Sequence, residues 1–344
     1  MPKLAVGVIG TGSIGNVHLT GYAAAPQLVT IQAICDINPK RLNEMGEKFK
    51  VPAERRYKDY KEMLKKEKLD VCSICVPNVY HYPCAAEAIK AGCNTLMEKP
   101  MVLTNEQAKD IKKLAARKKV KTMVAFSHRF HASNVAAKKA IDKGILGKPY
   151  MIRVRYAHGG PYPGWAQGDW FYSKKLAGAG ALLDMGIHAI DICQYLVGPI
   201  KTVSANMGTL RKKIEVDDNA VMLLDFGPQM KCFGYIECGW TSNTGFTGIE
   251  IYGDKASMVI DLFADTVIRR GVTRPDGSSE VIEEKLKKAH EKTHWEFQMQ
   301  QWINYVAGKK TATPIPGVDE GASSLAVGLG AIESSRSGKR FILK

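Results

Sequence analysis

Leu4-Ala5-Val6-Gly7-Val8-Ile9-Gly10-Thr11-Gly12-Ser13-Ile14-Gly15 decides how the first third of this chain folds. The apolar, partly β-branched run Leu4–Ile9 reads as a strand buried on both faces. It enters a G-x-G-x-x-G turn, and a helical segment follows from Asn16 to Ala25. A second such run, Thr30-Ile31-Gln32-Ala33-Ile34-Cys35, closes with Asp36. A glycine turn between a strand and a helix, then a strand ending in an acid ~20 residues on, is a dinucleotide-binding unit. Gly10 permits the tight turn. Gly12 lets backbone N–H groups approach a diphosphate, with Ser13 and Ile14 completing the cradle. Gly15 lets the helix pack close to the strand. The helix N-terminus favours the anion. Asp36 accepts hydrogen bonds from ribose hydroxyls and repels a 2′-phosphate, which favours NAD. Lys40 and Arg41 follow closely, which counts Arg41 among the cofactor contacts and leaves NADP open.

The alternation continues outward from that unit. Tyr57 to Lys66 reads as an amphipathic helix and Val71 to Val76 as a buried strand. Pro77-Asn78-Val79-Tyr80-His81 leads into a helix from Pro83 to Lys90, which Gly92 ends. Asn94 to Met97 is a fourth strand, with Glu98-Lys99-Pro100 at its carboxyl end, where open α/β sheets bind ligands. Thr104-Asn105-Glu106-Gln107 reads as a capping box that starts a helix to Arg117, and Lys121 to Phe126 as a fifth strand. The first ~125 residues thus form a doubly wound parallel sheet.

The character then changes. A helix from Asn134 to Lys143 precedes the alternating strand Tyr150–Tyr156 and a loop rich in Gly, Pro, Trp and Tyr. Its aromatics, Trp165 and Trp170 among them, serve either as core filler or as a wall against a sugar-like ring. Gly178 to Leu196 reads as a helix apolar nearly all round, yet Asp184, His188 and Asp191 fall at spacing i, i+4, i+7. Buried polar groups need partners. The stripe is therefore either a proton-transfer site, with Asp184 orienting His188, or a satisfied pair that locks two helices together. Runs at Thr202–Met207, Asn219–Phe226, Lys231–Trp240, Gly248–Tyr252 and Ser257–Asp261 predict an antiparallel or mixed sheet, one face of which must be hidden, often against another subunit. Trp295–Val306 and Ser323–Arg336 read as late helices, the second returning to the first domain. The expected domains are 1–127 and 128–344.

Composition bounds the rest. The chain has 344 residues and a formal net charge of +15. Its lysines are spread over amphipathic helices, with no basic stripe interleaved with aromatics, which argues against a nucleic-acid partner. No apolar run is expected to approach the ~20 residues of a membrane span. Met-Pro-Lys-Leu-Ala-Val runs straight into a strand and leaves no room for a signal peptide, so the expected location is the cytoplasm. Cys72-Ser-Ile-Cys75 has C-x-x-C spacing, but a strand sends the two side chains to opposite faces, so no metal is expected there.

Taken together, the chain resembles the glucose–fructose oxidoreductase / inositol dehydrogenase (Gfo/Idh/MocA) family over essentially its whole length. The matching residues are Gly10-x-Gly12-x-x-Gly15, Asp36, Pro77-Asn78-x-x-His81, Glu98-Lys99-Pro100 and Gly180-Ala-Leu-x-Asp184-x-Gly186-x-His188-x-x-Asp191. The resemblance implies a Rossmann domain plus an α/β domain with a large, mainly antiparallel sheet commonly used for oligomerisation, here a dimer or tetramer. It implies an NAD(P)-dependent oxidation of one hydroxyl of a sugar or cyclitol. Under it, Lys99, Asp184 and His188 are catalytic, and Pro77, Asn78, His81 and Glu98 join the cofactor site. Family members often carry Trp-Arg before the glycine-rich helix start; here Trp170 is followed by Phe171. Arg129, His158, Trp170 and Asp191 are then the expected substrate contacts. Two other readings stay open: an NAD-retaining enzyme that cleaves glycosides through transient oxidation, and a non-catalytic NAD-dependent sensor.

Overall fold

The computed structural model describes residues 2–242, 244, 246–262 and 266–343. They form two compact units. The first comprises Met1–Phe126, Tyr162–Gly178 and Trp295–Leu325; the second comprises Ser127–Pro161, Ala179–His294 and Ala326–Lys344. The aromatic loop after residue 161 is thus built into the first unit, although it follows a strand of the second. The last long helix, Val318–Ser337, is divided between the units rather than belonging to one.

In the first unit, β1 (Leu4–Ile9), β2 (Val29–Cys35), β3 (Arg56–Tyr57), β4 (Val71–Ile74), β5 (Asn94–Met97) and β6 (Thr122–Val124) form one sheet in the order β3-β2-β1-β4-β5-β6. Every pair in it is parallel. Val6, Val8, Ile34, Val71, Ile74 and Leu96 are fully buried, as strands covered on both faces require. The crossover helices are α1 (Ser13–Ala23), α2 (Pro39–Lys48), α3 (Tyr60–Lys66), α4 (His81–Lys90) and α5 (Asn105–Lys118). Thr104 caps α5 through its Oγ1, which accepts from Gln107 N at 3.2 Å. The Gln107 side chain returns to Leu103 N at 3.1 Å, one residue before the position a capping box uses. Tyr57, expected at the start of α3, lies instead in the short edge strand β3.

The second unit has β7 (Pro149–Ala157), β8 (Thr202–Gly208), β9 (Asn219–Asp225), β10 (Phe233–Gly239), β11 (Gly248–Gly253), β12 (Ser257–Asp261), β13 (Thr266–Thr273), β14 (Ser279–Leu286) and β15 (Phe341–Ile342). They form one nine-stranded sheet, β14-β13-β12-β11-β7-β10-β9-β8-β15. Only the β7–β10 pair is parallel. The remaining α-helices among the described residues are α6 (Ala132–Asp142), α7 (Lys174–Ala177), α8 (Ile187–Leu196), α9 (His294–Val306) and α10 (Val318–Ser337). Within the second unit, α6, α8 and the end of α10 contribute to one core with Ile152, Val154, Met222, Ile236 and Ile249 of the sheet.

Two expectations are corrected here. The stretch Lys174–Leu196 is long and apolar enough to cross a bilayer, with a mean hydropathy of 1.4 over its apolar window. However, 83% of that window is buried inside the protein, which marks a core segment. The same stretch is not one uniform helix: Leu182–Gly186 is a π-helical turn, and the α-helix begins at Ile187. A π turn holds one more residue than an α turn, so the i, i+4, i+7 stripe is skewed at its first member.

Candidate functional site

In the first unit, the glycine turn has the backbone that the motif demands. Gly10 sits at φ +88, and a Cβ there would lie 2.3 Å from the Cys75 carbonyl oxygen. At Gly15 a Cβ would lie 2.1 Å from Gly10 O, so helix and strand touch backbone to backbone. Gly12 differs: a Cβ there would meet nothing closer than Arg41 Nη1 at 3.5 Å. Its outer side is open, and no side chain caps the N-terminus of α1. The free N–H groups of that turn are an anion site by construction. A cleft of about 310 Å³ lies there, lined by Thr11, Gly12, Ser13, Arg41, Lys48 and Gln167 among others. Ser13 Oγ donates to the Trp165 carbonyl at 3.4 Å, so the loop after residue 161 reaches the turn.

Asp36 is 7% exposed. Its Oδ2 accepts from Thr11 N at 2.8 Å and Thr11 Oγ1 at 2.9 Å, and its Oδ1 accepts from Asn38 N at 2.8 Å. Three of roughly four lone-pair sites are used, which leaves one for a ribose hydroxyl where two were expected. The open turn, the buried acid at the end of β2 and the cationic Arg41 fit a dinucleotide.

At the neighbouring strand ends the side chains serve the backbone. Asn78 Nδ2 donates to Ala177 O at 2.9 Å. His81 is buried with Nδ1 2.7 Å from Pro100 O and Nε2 2.8 Å from Val76 O. It therefore links the chain just before Pro77 to the chain just after Lys99. Burial pulls its pKa down, while the two carbonyls oppose that shift. Glu98 Oε1 is 3.2 Å from His18 Nε2, and His18 Nδ1 is 3.3 Å from Cys75 Sγ. His18 is completely buried and escaped the sequence reading; its position on the inner face of the first helix was the available signal. Lys99 is half-buried beside Glu98, whose Oε2 accepts from Lys99 N at 3.2 Å. Trp170 stacks on Phe171 with centroids 3.8 Å apart.

In the second unit, the π turn is pinned at its start. Asp217 accepts from Gly180 N at 2.6 Å and Leu182 N at 2.7 Å, and its carbonyl accepts from Ala181 N at 2.9 Å. A Cβ at Gly180 would lie 1.9 Å from Asp217 O, so only glycine fits. Asp184, His188 and Asp191 are all buried, at 6%, 5% and 1% exposure. Asp184 Oδ2 accepts from the Trp240 indole Nε1 at 2.9 Å. His158 Nε2 is 3.9 Å from the same oxygen. Because His158 Nδ1 accepts from Gly160 N at 2.8 Å, a neutral His158 carries its proton on Nε2, toward Asp184.

Asp191 and Arg129, both expected at the substrate, form a bidentate pair with two 2.6 Å bonds. The guanidinium also lies 4.8 Å from the Tyr195 ring centre. The face of His188 is covered by His128, with ring centres 4.3 Å apart and an interplanar angle of 22°. Trp240 and His128 are additions to the sequence-derived site. The signal for Trp240 was a polar-edged aromatic at a strand end. His128 lay beside Arg129 in a motif read only for its cation. Among the described residues, no group of three or more His, Cys, Asp or Glu is placed to hold a metal.

Comparison with known proteins follows these two halves. Residues 4–126 match the family model of an oxidoreductase family with an NAD-binding Rossmann fold, and residues 134–259 match that of the GFO/IDH/MocA C-terminal domain. The D-glucoside 3-dehydrogenase of Escherichia coli is 32% identical over 206 residues, 59% of this chain and 57% of that protein. The matched part thus spans little more than half the length of that relative. The myo-inositol 2-dehydrogenase of Thermotoga maritima is 27% identical over 270 residues, 76% of this chain and 77% of that one. A levoglucosan dehydrogenase structure in complex with NADH covers 100% of both chains with a TM-score of 0.87 at 22% identity, and so shares the fold.

Proposed function

The chain belongs to the Gfo/Idh/MocA oxidoreductase family, and on that premise we propose that it is an NAD-dependent dehydrogenase oxidising one hydroxyl of a sugar or inositol-like cyclic polyol by hydride transfer. One observation carries the reading beyond the fold: a buried imidazole, His188, stands among satisfied buried carboxylates in a chain that also holds an open dinucleotide turn. The names of the two relatives, a glucoside and an inositol dehydrogenase, support the substrate class.

NAD, when bound, supplies the acceptor for the hydride that leaves the carbinol carbon. The turn Gly10–Gly15 would hold the diphosphate on its N–H groups, and Asp36 would accept a hydrogen bond from a ribose hydroxyl. His81 and Asn78 keep the strand-end turns in shape. The Lys99 ammonium donates to the substrate oxygen and stabilises the negative charge that grows there. His188 takes the hydroxyl proton on a ring nitrogen. Asp184, held by Trp240, fixes the local electrostatics of that imidazole. Trp170 offers an aromatic surface to the substrate ring.

The open face of the nine-stranded sheet supports a homo-oligomer. Leu223 and Phe233 are each 60% exposed there, beside Tyr235 and Met151. Burying such a face against a second copy removes apolar surface from water. Light scattering of the purified chain reads the subunit number.

The activity test is a coupled NAD and NADP reduction screen over inositols, aldoses, anhydrosugars and glycosides. The expected result is NADH formation on one of these classes, lost ~10²–10⁴-fold in His188→Ala with NAD binding intact. Product released from a glycoside without net NADH would replace the dehydrogenase by a redox-assisted lyase. Bound NAD with no turnover on any class would leave a sensor.

A further inference from the structure

Four of the chain's eight histidines make one string of rings in the second unit. His188 stacks on His128 at 4.3 Å and 22°. His128 meets His131 edge-on at 5.3 Å and 81°, and His131 stacks on His294 at 4.1 Å and 23°. His290 Nε2 is bonded to Phe130 O at 3.0 Å, one residue before His131. Protons pass between imidazoles through their ring nitrogens, in the ring plane. The stacked pairs here present faces to each other, so the string is no proton wire. What a face offers is its π electrons, which stabilise a cation lying over them.

Only one ring of a stacked pair can carry charge cheaply, and the surroundings decide which. Burial pulls His131 down to about 4 and His294 down to about 3, so both are neutral at pH 7. The Tyr156 phenol, 4.6 Å from His128, is fully buried with its pKa raised and is neutral as well. Ionisable groups on the segment that carries His188 include Asp191, paired with Arg129, the buried Cys193, and Asp184, which has His158 of the loop after β7 at 3.9 Å and acts on the buried Cys238 thiol of β10. Arg129, next to His128 in sequence, is matched by Asp191, and the Asp184 carboxylate lies on the same segment as His188.

We propose that His128 is a positioning residue for proton transfer at His188: its ring face holds the plane of the His188 imidazole and stabilises that ring in its protonated form. This role rests on the reading of His188 as the base. Removing the face weakens His188 as a proton acceptor. In His128→Leu the pKa of His188 falls by roughly 0.5–1 unit. The acid limb of kcat/KM moves to lower pH by the same amount. In His128→Phe, which restores a π face, the limb returns toward its original place.

The deciding measurement is an NMR titration of the His188 Cε1–H in the full-length, substrate-free protein, assigned with His188→Gln. A lower His188 pKa in His128→Leu, restored in His128→Phe, is the expected result. An unchanged pKa overturns the proposal, and a raised pKa overturns it too, since His128 would then carry charge itself. Should the leucine variant fail to fold, His128→Asn removes the face with a polar side chain of similar reach. Because the titration needs no turnover, it separates two failures. An active His188→Ala enzyme sinks the base assignment alone; an unmoved titration sinks the role of His128 alone.

Discussion

The indole of Trp240, at the end of β10, donates to the carboxylate of Asp184 across 2.9 Å, and both groups are buried. That bond gives an otherwise costly buried charge a fixed direction on the segment that carries His188. In Trp240→Phe the carboxylate loses its donor, an omission worth about 1–3 kcal/mol. The expected outcome is a lower unfolding midpoint together with a kcat reduced roughly 10- to 100-fold, while KM moves less than about 3-fold. Steady-state kinetics on the substrate found by the screen, run beside urea unfolding, checks both. A kcat that holds while stability drops would confine the bond to structure.

Asp36 has one duty seen in its bonds to Thr11 and one proposed toward the cofactor, and a substitution separates them. Its carboxylate ties down Thr11 through two bonds and stands where a ribose hydroxyl is expected. Asp36→Asn keeps an acceptor for Thr11 but removes the negative charge. Hydrogen bonds to charged groups contribute about 1.5–3 kcal/mol, so NAD affinity should fall on the order of 10- to 100-fold. NADP should lose far less, because the repulsion of its 2′-phosphate goes with the charge and Arg41 remains nearby. Calorimetric titration with each cofactor gives the ratio; an unchanged preference would move the discriminating contact elsewhere.

How much of this was legible beforehand depends on what each residue depends on. The glycine turn and Asp36 were readable because a backbone requirement permits few residue types at fixed spacing. The hairpin β13–β14 was not read as strands. Side-chain ion pairs from Arg269 to Glu283 and from Arg270 to Glu284 cross it on exposed surfaces, so no apolar alternation announces it. The turn Pro275-Asp276-Gly277 was the only local mark. The π turn at Leu182–Gly186 was hidden for another reason. It is imposed by Asp217, more than thirty residues away in sequence, which takes up the N–H groups of Gly180 and Leu182. The partners of the polar stripe were likewise out of reach. A buried Asp191 announces that it needs a cation, but only the fold selects Arg129.

The Arg129–Asp191 pair yields a prediction that sets structure against substrate contact. Both side chains are at most 5% exposed and joined by two short bonds. Asp191→Asn leaves a buried guanidinium without its counter-charge, a loss of about 3–5 kcal/mol. The double variant Arg129→Met with Asp191→Leu should recover much of that, since removing both charges also removes their desolvation cost. Thermal unfolding of the three proteins decides it. A single variant that unfolds like the parent while its KM rises would place Asp191 on the substrate instead.

The acid sensitivity of the second unit should trace to His131 and His294. Burial, with each ring lying close to another histidine, holds their folded pKa values at about 4 and about 3, against 6.5 for the ordinary side chain. The sign follows from which state binds the proton. Below pH 6.5 the unfolded chain protonates both rings while the folded protein does not, so stability falls as pH drops from about 6.5 toward 4. It is restored in full above that window. Each ring should account for ~2 kcal/mol between pH 7 and pH 5. Urea midpoints at the two pH values measure the loss, and His131→Asn or His294→Gln, which cannot take up the proton, should flatten the slope by that amount. Variants as acid-sensitive as the parent would mean that these two rings are already charged, or already exposed, in the folded protein.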